Sequence, residues 1–175
     1  TTGTAPRHIA VGAGHKFLHT PRATDLNRKH LPTVVVVSAA EHIQAIIRDV
    51  QQCKLDARPA FVLCKDERES KLVSEILESM QELEGMSIQN YSSLLDQSVK
   101  EKMIRLAGVE GTVTVGPIVD LGRGVDVKPT ATAKEHGGLH LIMTHNPKAK
   151  ATHEQGIARS GRNGDLGTEC VITRG

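Results

Sequence analysis

The sequence predicts an α/β fold, a parallel sheet with helices on both faces. Three observations predict it. Short β-branched or wholly apolar runs alternate with stretches whose apolar residues recur at helical spacing. One run, residues 59–64 (PAFVLC), has no polar residue and reads as a strand buried on both sides. A capping box, Ser38 with Glu41, marks the first switch from strand to helix.

In chain order, residues 1–32 hold several Gly, Pro and Thr with little apolar periodicity. They read as an extended arm with one short strand near 16–19, followed by a single domain over 33–175. Residues 34–37 are a β-branched strand. Ile43, Ile46, Ile47 and Val50 then recur at i, i+3, i+4 and i+7, which predicts a helix over 39–53. After the 59–64 strand, Leu72, Val73, Ile76, Leu77, Met80 and Leu83 predict a second helix with these residues on its inner face. A strand at 86–89 and a third helix over 94–107, carrying Val99, Met103, Ile104 and Leu106, come next. Strands are predicted at 112–115, 139–143 and 169–173, with a helix over 150–161 ending at Gly161.

Composition narrows the function. Of 175 residues, 38% are hydrophobic and 24% charged, as in ordinary globular proteins. No run of about 18 apolar residues is present to span a membrane. The net charge of +2 is too small to imply a polyanion. Aromatics are only 2%, a poor base-stacking platform, so a nucleic-acid partner is not expected. The acidic stretch over 66–84 reads as a solvated helix face. Cys53, Cys64 and Cys170 form no CxxC, which fits a reducing, cytoplasmic setting. Of His136, His140, His145 and His153, only His136 and His140 share a plausible ligand spacing, and they fall across a loop and a strand, so no metal is expected. Thr1 in place of an initiator Met is compatible with a piece of a longer protein.

Such folds bind ligands beyond the carboxyl ends of their strands. Gly12-Ala13-Gly14-His15-Lys16 lacks P-loop spacing, and no Asp-Glu pair ends a strand to hold magnesium. Two segments carry candidate chemistry. In Gly122-Arg123-Gly124-Val125-Asp126, the glycines permit close backbone approach to a ligand. Arg123 suits a phosphate, and Asp126 suits a ribose hydroxyl or an arginine. A tight turn with a surface ion pair fits the same residues. In the second segment Gln155, Arg159 and Arg162 are spaced by four and three, which places them on one helix face. Two neighbouring guanidiniums call for an anionic partner: a nucleotide phosphate, Asp126 or Asp165. A solvated basic helix end also fits.

These residues resemble a family, the preprotein-translocase ATPase SecA, in its second motor domain. More distantly they resemble the second RecA-like half of superfamily-two helicases. Residues 122–127 (GRGVDV) are similar to the family's GRGTDI, residues 137–144 (GGLHLIMT) to GGLHIIGT, and residues 159–165 (RSGRNGD) to RSGRQGD. Residues 40–50 (AEHIQAIIRDV) resemble AEKIQAIIEDI, and residues 69–77 (ESKLVSEIL) resemble EKSELVSNEL. Residues 19–32 are similar to the segment PTNRPxIRKDLP that leads into this domain. The likeness covers nearly the whole chain in order.

The resemblance implies a RecA-like sheet that closes against a first motor domain bearing the P-loop and acidic box, with ATP and magnesium between them. It implies that Gly122, Arg123, Gly124, Asp126 and Gln155 contact the nucleotide. Arg159 and Arg162 would be arginine fingers. The implied partners are the P-loop domain of a parent chain, a polypeptide substrate and a membrane translocon. The implied location is cytoplasmic, peripheral at a membrane through the parent protein. The isolated chain is expected to be inactive. Three departures stand out. Ile118-Val119-Asp120-Leu121 replaces the family's Thr-Asn-Met-Ala, Ile157-Ala158 replaces Arg-Gly, and residues 145–153 (HNPKAKATH) replace ERHESRRID. They favour an alternative, a RecA-like scaffold that binds proteins without ATPase activity.

Overall fold

A computed structural model describes residues 27–121, 125–147, 160–161 and 165–175. Among the described residues are seven strands, β1 (Arg28–His30), β2 (Val34–Val36), β3 (Ala60–Cys64), β4 (Ser87–Asn90), β5 (Thr112–Pro117), β6 (Leu139–Met143) and β7 (Gly167–Arg174), and five helices, α1 (Ala39–Leu55), α2 (Glu67–Ser79), α3 (Gln97–Leu106), α4 (Ile118–Leu121) and α5 (Ala131–Glu135). The sheet order is β1-β7-β6-β3-β5-β4, and β2 pairs the far end of β7. Every described pairing is parallel.

Strand alternation sorts the core into two layers. Ala60, Val62 and Cys64 face one side with Val113, Val115, Ile142 and Ile172, and meet Ile46, Val50, Val73 and Leu77 of α1 and α2. Phe61 and Leu63 face the other side with Leu139, Leu141 and Met143, and meet Ala107, Ile118, Leu121, Val125 and Val127. All five residues of β3 are buried because it lies between β5 and β6 with both faces covered. This is the predicted two-faced parallel sheet.

The capping box forms as predicted. Ser38 Oγ accepts from the Glu41 amide at 3.1 Å, and the Glu41 carboxylate accepts from the Ser38 amide at 3.3 Å. Two backbone bonds to that carboxylate, from Val37 and Ser38, lower its proton affinity. Helix α2 differs from expectation. Its inner face is Ser70, Val73, Ser74 and Leu77, whereas Leu72 is exposed. Spacings of three and four from Ser70 define that face, and Leu72 falls outside it. The chain leaves the helix at Met80, and a 3-10 turn over Gln81–Leu83 buries Leu83. Lys54 Nζ fastens this turn by donating to the carbonyls of Glu82 and Glu84.

β1 joins the sheet within the stretch assigned to the arm. Buried Glu169 of β7 explains this. Arg28 Nε lies 2.7 Å from its carboxylate, and His30 pairs with its other oxygen. The short helices α4 and α5 carry too few residues to show a helical period in sequence. The predicted strand near 16–19 and the helix over 150–161 lie outside the described residues, apart from the last two positions of that helix.

Burial pushes the Cys53 thiol up to about 12, Cys170 up to about 11 and Cys64 higher still. Thiolate is the reactive form, so the native chain is expected to resist a thiol reagent near about pH 8. All three thiols should react after denaturation. One equivalent consumed by the folded chain would contradict their burial.

Candidate functional site

Of the predicted site residues, Asp126 lies within the described part. Gly122, Arg123, Gly124, Gln155, Arg159 and Arg162 lie outside it. What the structure positions is Asp126, Leu121 and Val125 beside the glycine-rich motif, and Ser160, Gly161 and Asp165 beside the arginines.

Asp126 is exposed between two buried valines. Val125 and Val127 anchor the segment to the outer core layer. Gly108 lies so close to the Lys128 carbonyl that no larger residue would fit between them. Asp126 lines a groove of about 460 Å³ along α3, with Tyr91 and Ile104 in its wall and Lys100 and Arg105 as its cations. Burial, and secondarily the Asp120 charge, raise the Tyr91 hydroxyl above its usual value, so it is a neutral donor near neutral pH.

The apolar pair before the glycine-rich motif divides. Ile118 is 4% exposed and belongs to the core, whereas Val119 is 65% exposed. Only Val119 among these two puts an apolar side chain in solvent. Asp120 turns back to accept from the Ser93 amide at 3.3 Å.

Residues 160 and 161 are set into the amino ends of β6 and β7. Ser160 is fully buried, and its Oγ donates to the Leu139 carbonyl at 3.0 Å, with the Thr168 carbonyl at 3.4 Å. A Cβ on Gly167 would come within 2.0 Å of that oxygen. Gly161 has a φ of +67°, and a Cβ there would meet the Asn27 carbonyl oxygen at 2.9 Å. The Asn27 amide in turn donates to the Gly161 carbonyl at 3.3 Å. Four residues further on, Asp165 pairs with Lys134 of α5 at 3.1 Å. That contact ties the strand entering β7 to the segment that follows Asp126.

A partly buried polar network lies beside this seat, and sequence reasoning missed it. His140 Nε2 holds Asp49 at 3.0 Å, and His140 Nδ1 lies 2.6 Å from Thr168 Oγ1. Arg58 donates to Thr168 Oγ1 at 2.6 Å and to the carbonyls of Gly137 and Gly138 at 2.9 and 3.0 Å. The contributing residues are up to 119 positions apart (168 minus 49), so no local pattern could reveal them. Among the described residues, no group of three His, Cys, Asp or Glu could hold a metal. No described helix is long and apolar enough to cross a membrane.

At the opposite, carboxyl ends of the strands, His42 Nε2 donates to the Thr144 and Ile172 carbonyls at 2.8 and 3.1 Å. Glu69 accepts from the Lys65 amide and the Thr144 hydroxyl. His145 adjoins this cluster, and its Nδ1 is buried without a partner. Burial lowers its proton affinity, with Glu69 opposing and Lys65 assisting. The folded value therefore lies below the unfolded one of about 6.5. Stability is complete above that pH and falls as pH drops through the window below it. Thermal melts from about pH 7.5 to 5.5 should show a smaller decline for His145→Gln than for the wild type. Identical declines would contradict it.

Comparison with known proteins defines the class. The chain is 33% identical over 169 residues, 95% of its length, to protein translocase subunit SecA 2 of Streptococcus agalactiae, covering 20% of that protein. It is 31% identical over 148 residues, 85% of its length, to SecA of Porphyromonas gingivalis, covering 13%. The chain thus spans between 13% and 26% of the curated relatives it matches. Solved structures share the fold. The second domain of the DEAD-box helicase Mss116p, bound to an RNA duplex, matches 85% of this chain and 55% of its own with a TM-score of 0.66 at 13% identity. A DEAD-box protein from Methanococcus jannaschii matches 98% and 43% with a TM-score of 0.58 at 22% identity. No family model matches. The chain has the RecA-like fold of these helicase domains. Within that class, the SecA translocase subunits are the relatives it matches in sequence over most of its length.

Proposed function

We propose that this domain is the second motor half of a SecA-like, ATP-driven protein translocase. It supplies Arg159 and Arg162 to an ATP site that a P-loop domain of the parent chain completes. The observation that carries this reading is the sequence likeness to SecA subunits over most of the chain, while Ser160-Gly161, between the two arginines, is set into the amino ends of β6 and β7 rather than the carboxyl ends expected for a ligand.

The residues present fit one side of a nucleotide site. By residue type Asp126 suits a ribose hydroxyl, and Arg123 and the glycines beside it suit phosphate. Gln155 lies on the same motif as the arginines. The sequence has neither a P-loop nor a strand-end acidic pair. Magnesium and the triphosphate cradle therefore belong to the partner domain. When bound, ATP with magnesium supplies the scissile phosphoanhydride. The chain's arginines place positive charge where negative charge accumulates on the transferring phosphoryl group. Closure of the two halves on ATP and reopening after hydrolysis would move a polypeptide through a membrane translocon.

The test is ATP turnover by the natural polypeptide and by this chain alone. Turnover by the former and none by the latter is expected. Turnover by the isolated chain, or none by the natural protein, would overturn the reading. The second outcome favours the alternative, a protein-binding scaffold, for which the exposed Val119 is the supporting observation.

A further inference from the structure

We propose that the outer edge of β4, with the acidic groove beside it, takes up an extended basic segment of a separate polypeptide as an added strand. None of the residues assigned to ATP takes part.

β4 ends the sheet, and among the described residues only β5 pairs with it. The Ser87 amide donates to the carbonyl of Gly111, just before β5, at 2.8 Å, and the Tyr91 amide donates to that of Val115 at 2.7 Å. Successive residues of a strand turn their backbone groups to opposite edges. The amides and carbonyls of Ile88 and Asn90 therefore face outward. Proteins commonly guard such an edge with a charge, a proline or a bulge. Ser87-Ile88-Gln89-Asn90 has neither charge nor proline, so the edge is left fit for pairing with another strand.

The groove defines the chemistry of the occupant. It encloses about 540 Å³ between the end of α2, the 3-10 turn and the start of β4. Leu77 and Leu83 in its lining are buried, and Met80, Met86 and Ile88 are partly buried against the core. Methionines adapt to apolar side chains of varied shape. A Cβ on Gly85 would meet nothing within 4 Å, so the groove is open there. Its charged lining is Glu78 and Glu84, both exposed, with no cation among the lining residues. Glu82 on the 3-10 turn adds a third carboxylate, and Lys54, bonded to the carbonyls of that turn, offsets one of the three. The complement is a strand with an apolar residue entering the groove and lysine or arginine two positions away on the same face.

The experiment is fluorescence anisotropy of a labelled peptide, KTVTKTVTK, with the natural full-length protein in the absence of nucleotide. The same peptide with Glu in place of each Lys is the control. The basic peptide is expected to bind at least about tenfold more tightly than the acidic one. Glu78→Lys combined with Glu84→Lys should reverse that preference at an unchanged melting temperature, because both positions are exposed. Hydrogen exchange reads the strand addition itself. The basic peptide should slow exchange at the Ile88 and Asn90 amides by about tenfold or more, while Ser87 and Tyr91, already bonded toward β5, change little. Absence of binding, equal binding of the two peptides, a preference that the double variant keeps, or binding that leaves the Ile88 and Asn90 amides unprotected overturns the proposal. So does slow exchange at those two amides before any peptide is added, which would mean that the edge is already covered within the protein or by a second copy.

Discussion

Arg162→Ala in the natural protein is expected to cut ATP turnover at least about a hundredfold while leaving nucleotide affinity largely intact. An arginine finger acts on charge that exists only as the phosphoryl group transfers, and such groups carry about 10³–10⁵ in rate. The loss should therefore appear in kcat. Lysine should not restore it, because its point charge cannot reproduce the planar fork. Arg159→Ala distinguishes the two arginines. If both contact the transition state, the double variant should lose little more than the worse single one, as expected for groups acting as a unit. Unchanged turnover in Arg162→Ala would remove it from the mechanism, and a change confined to KM would make it a ground-state binding residue.

Glu169→Ala is expected to cost about 3–5 kcal/mol of stability, the price of removing one partner of a buried ion pair. The Glu169 side chain is 4% exposed and that of Arg28 is 7% exposed, 2.7 Å away. Removing the carboxylate takes from the buried guanidinium its Glu169 partner. His30, at 63% exposure, is solvated and loses less. At about 2–4 °C per kcal/mol for a chain of this size, the melting temperature should fall by roughly 6–20 °C. Hydrogen exchange should show the loss concentrated where β1 pairs β7. A fall of under about 2 °C would mean that water already reaches the pair.

Much of the fold was legible because its signals are local. The capping box at Ser38 and Glu41, the stripe of Ile43, Ile46, Ile47 and Val50, and the wholly apolar β3 each declare themselves within a few residues. Leu72 misled because an apolar residue next to a stripe looks like part of it. The buried Ser70 and Ser74 share the inner face with the predicted Val73 and Leu77. β1 was illegible because its attachment depends on Glu169, about 140 residues away, and an acidic residue in a strand gives no sign of being buried.

The candidate site is a reading of motifs, and of its residues only Asp126 lies within the described part. The spacing of Gln155, Arg159 and Arg162 and the glycines around Arg123 point to phosphate chemistry. Spacing alone does not show that Ser160 is a buried anchor, or that Ile118 belongs to the core while its neighbour Val119 does not. Those distinctions depend on which strand ends meet. The network of Asp49, His140, Thr168 and Arg58 is of the same kind.

The most direct test of the central claim is the sequence of the natural polypeptide upstream of Thr1. The account predicts a P-loop and an acidic box within a few hundred residues, in the same chain. A natural protein with neither would contradict it.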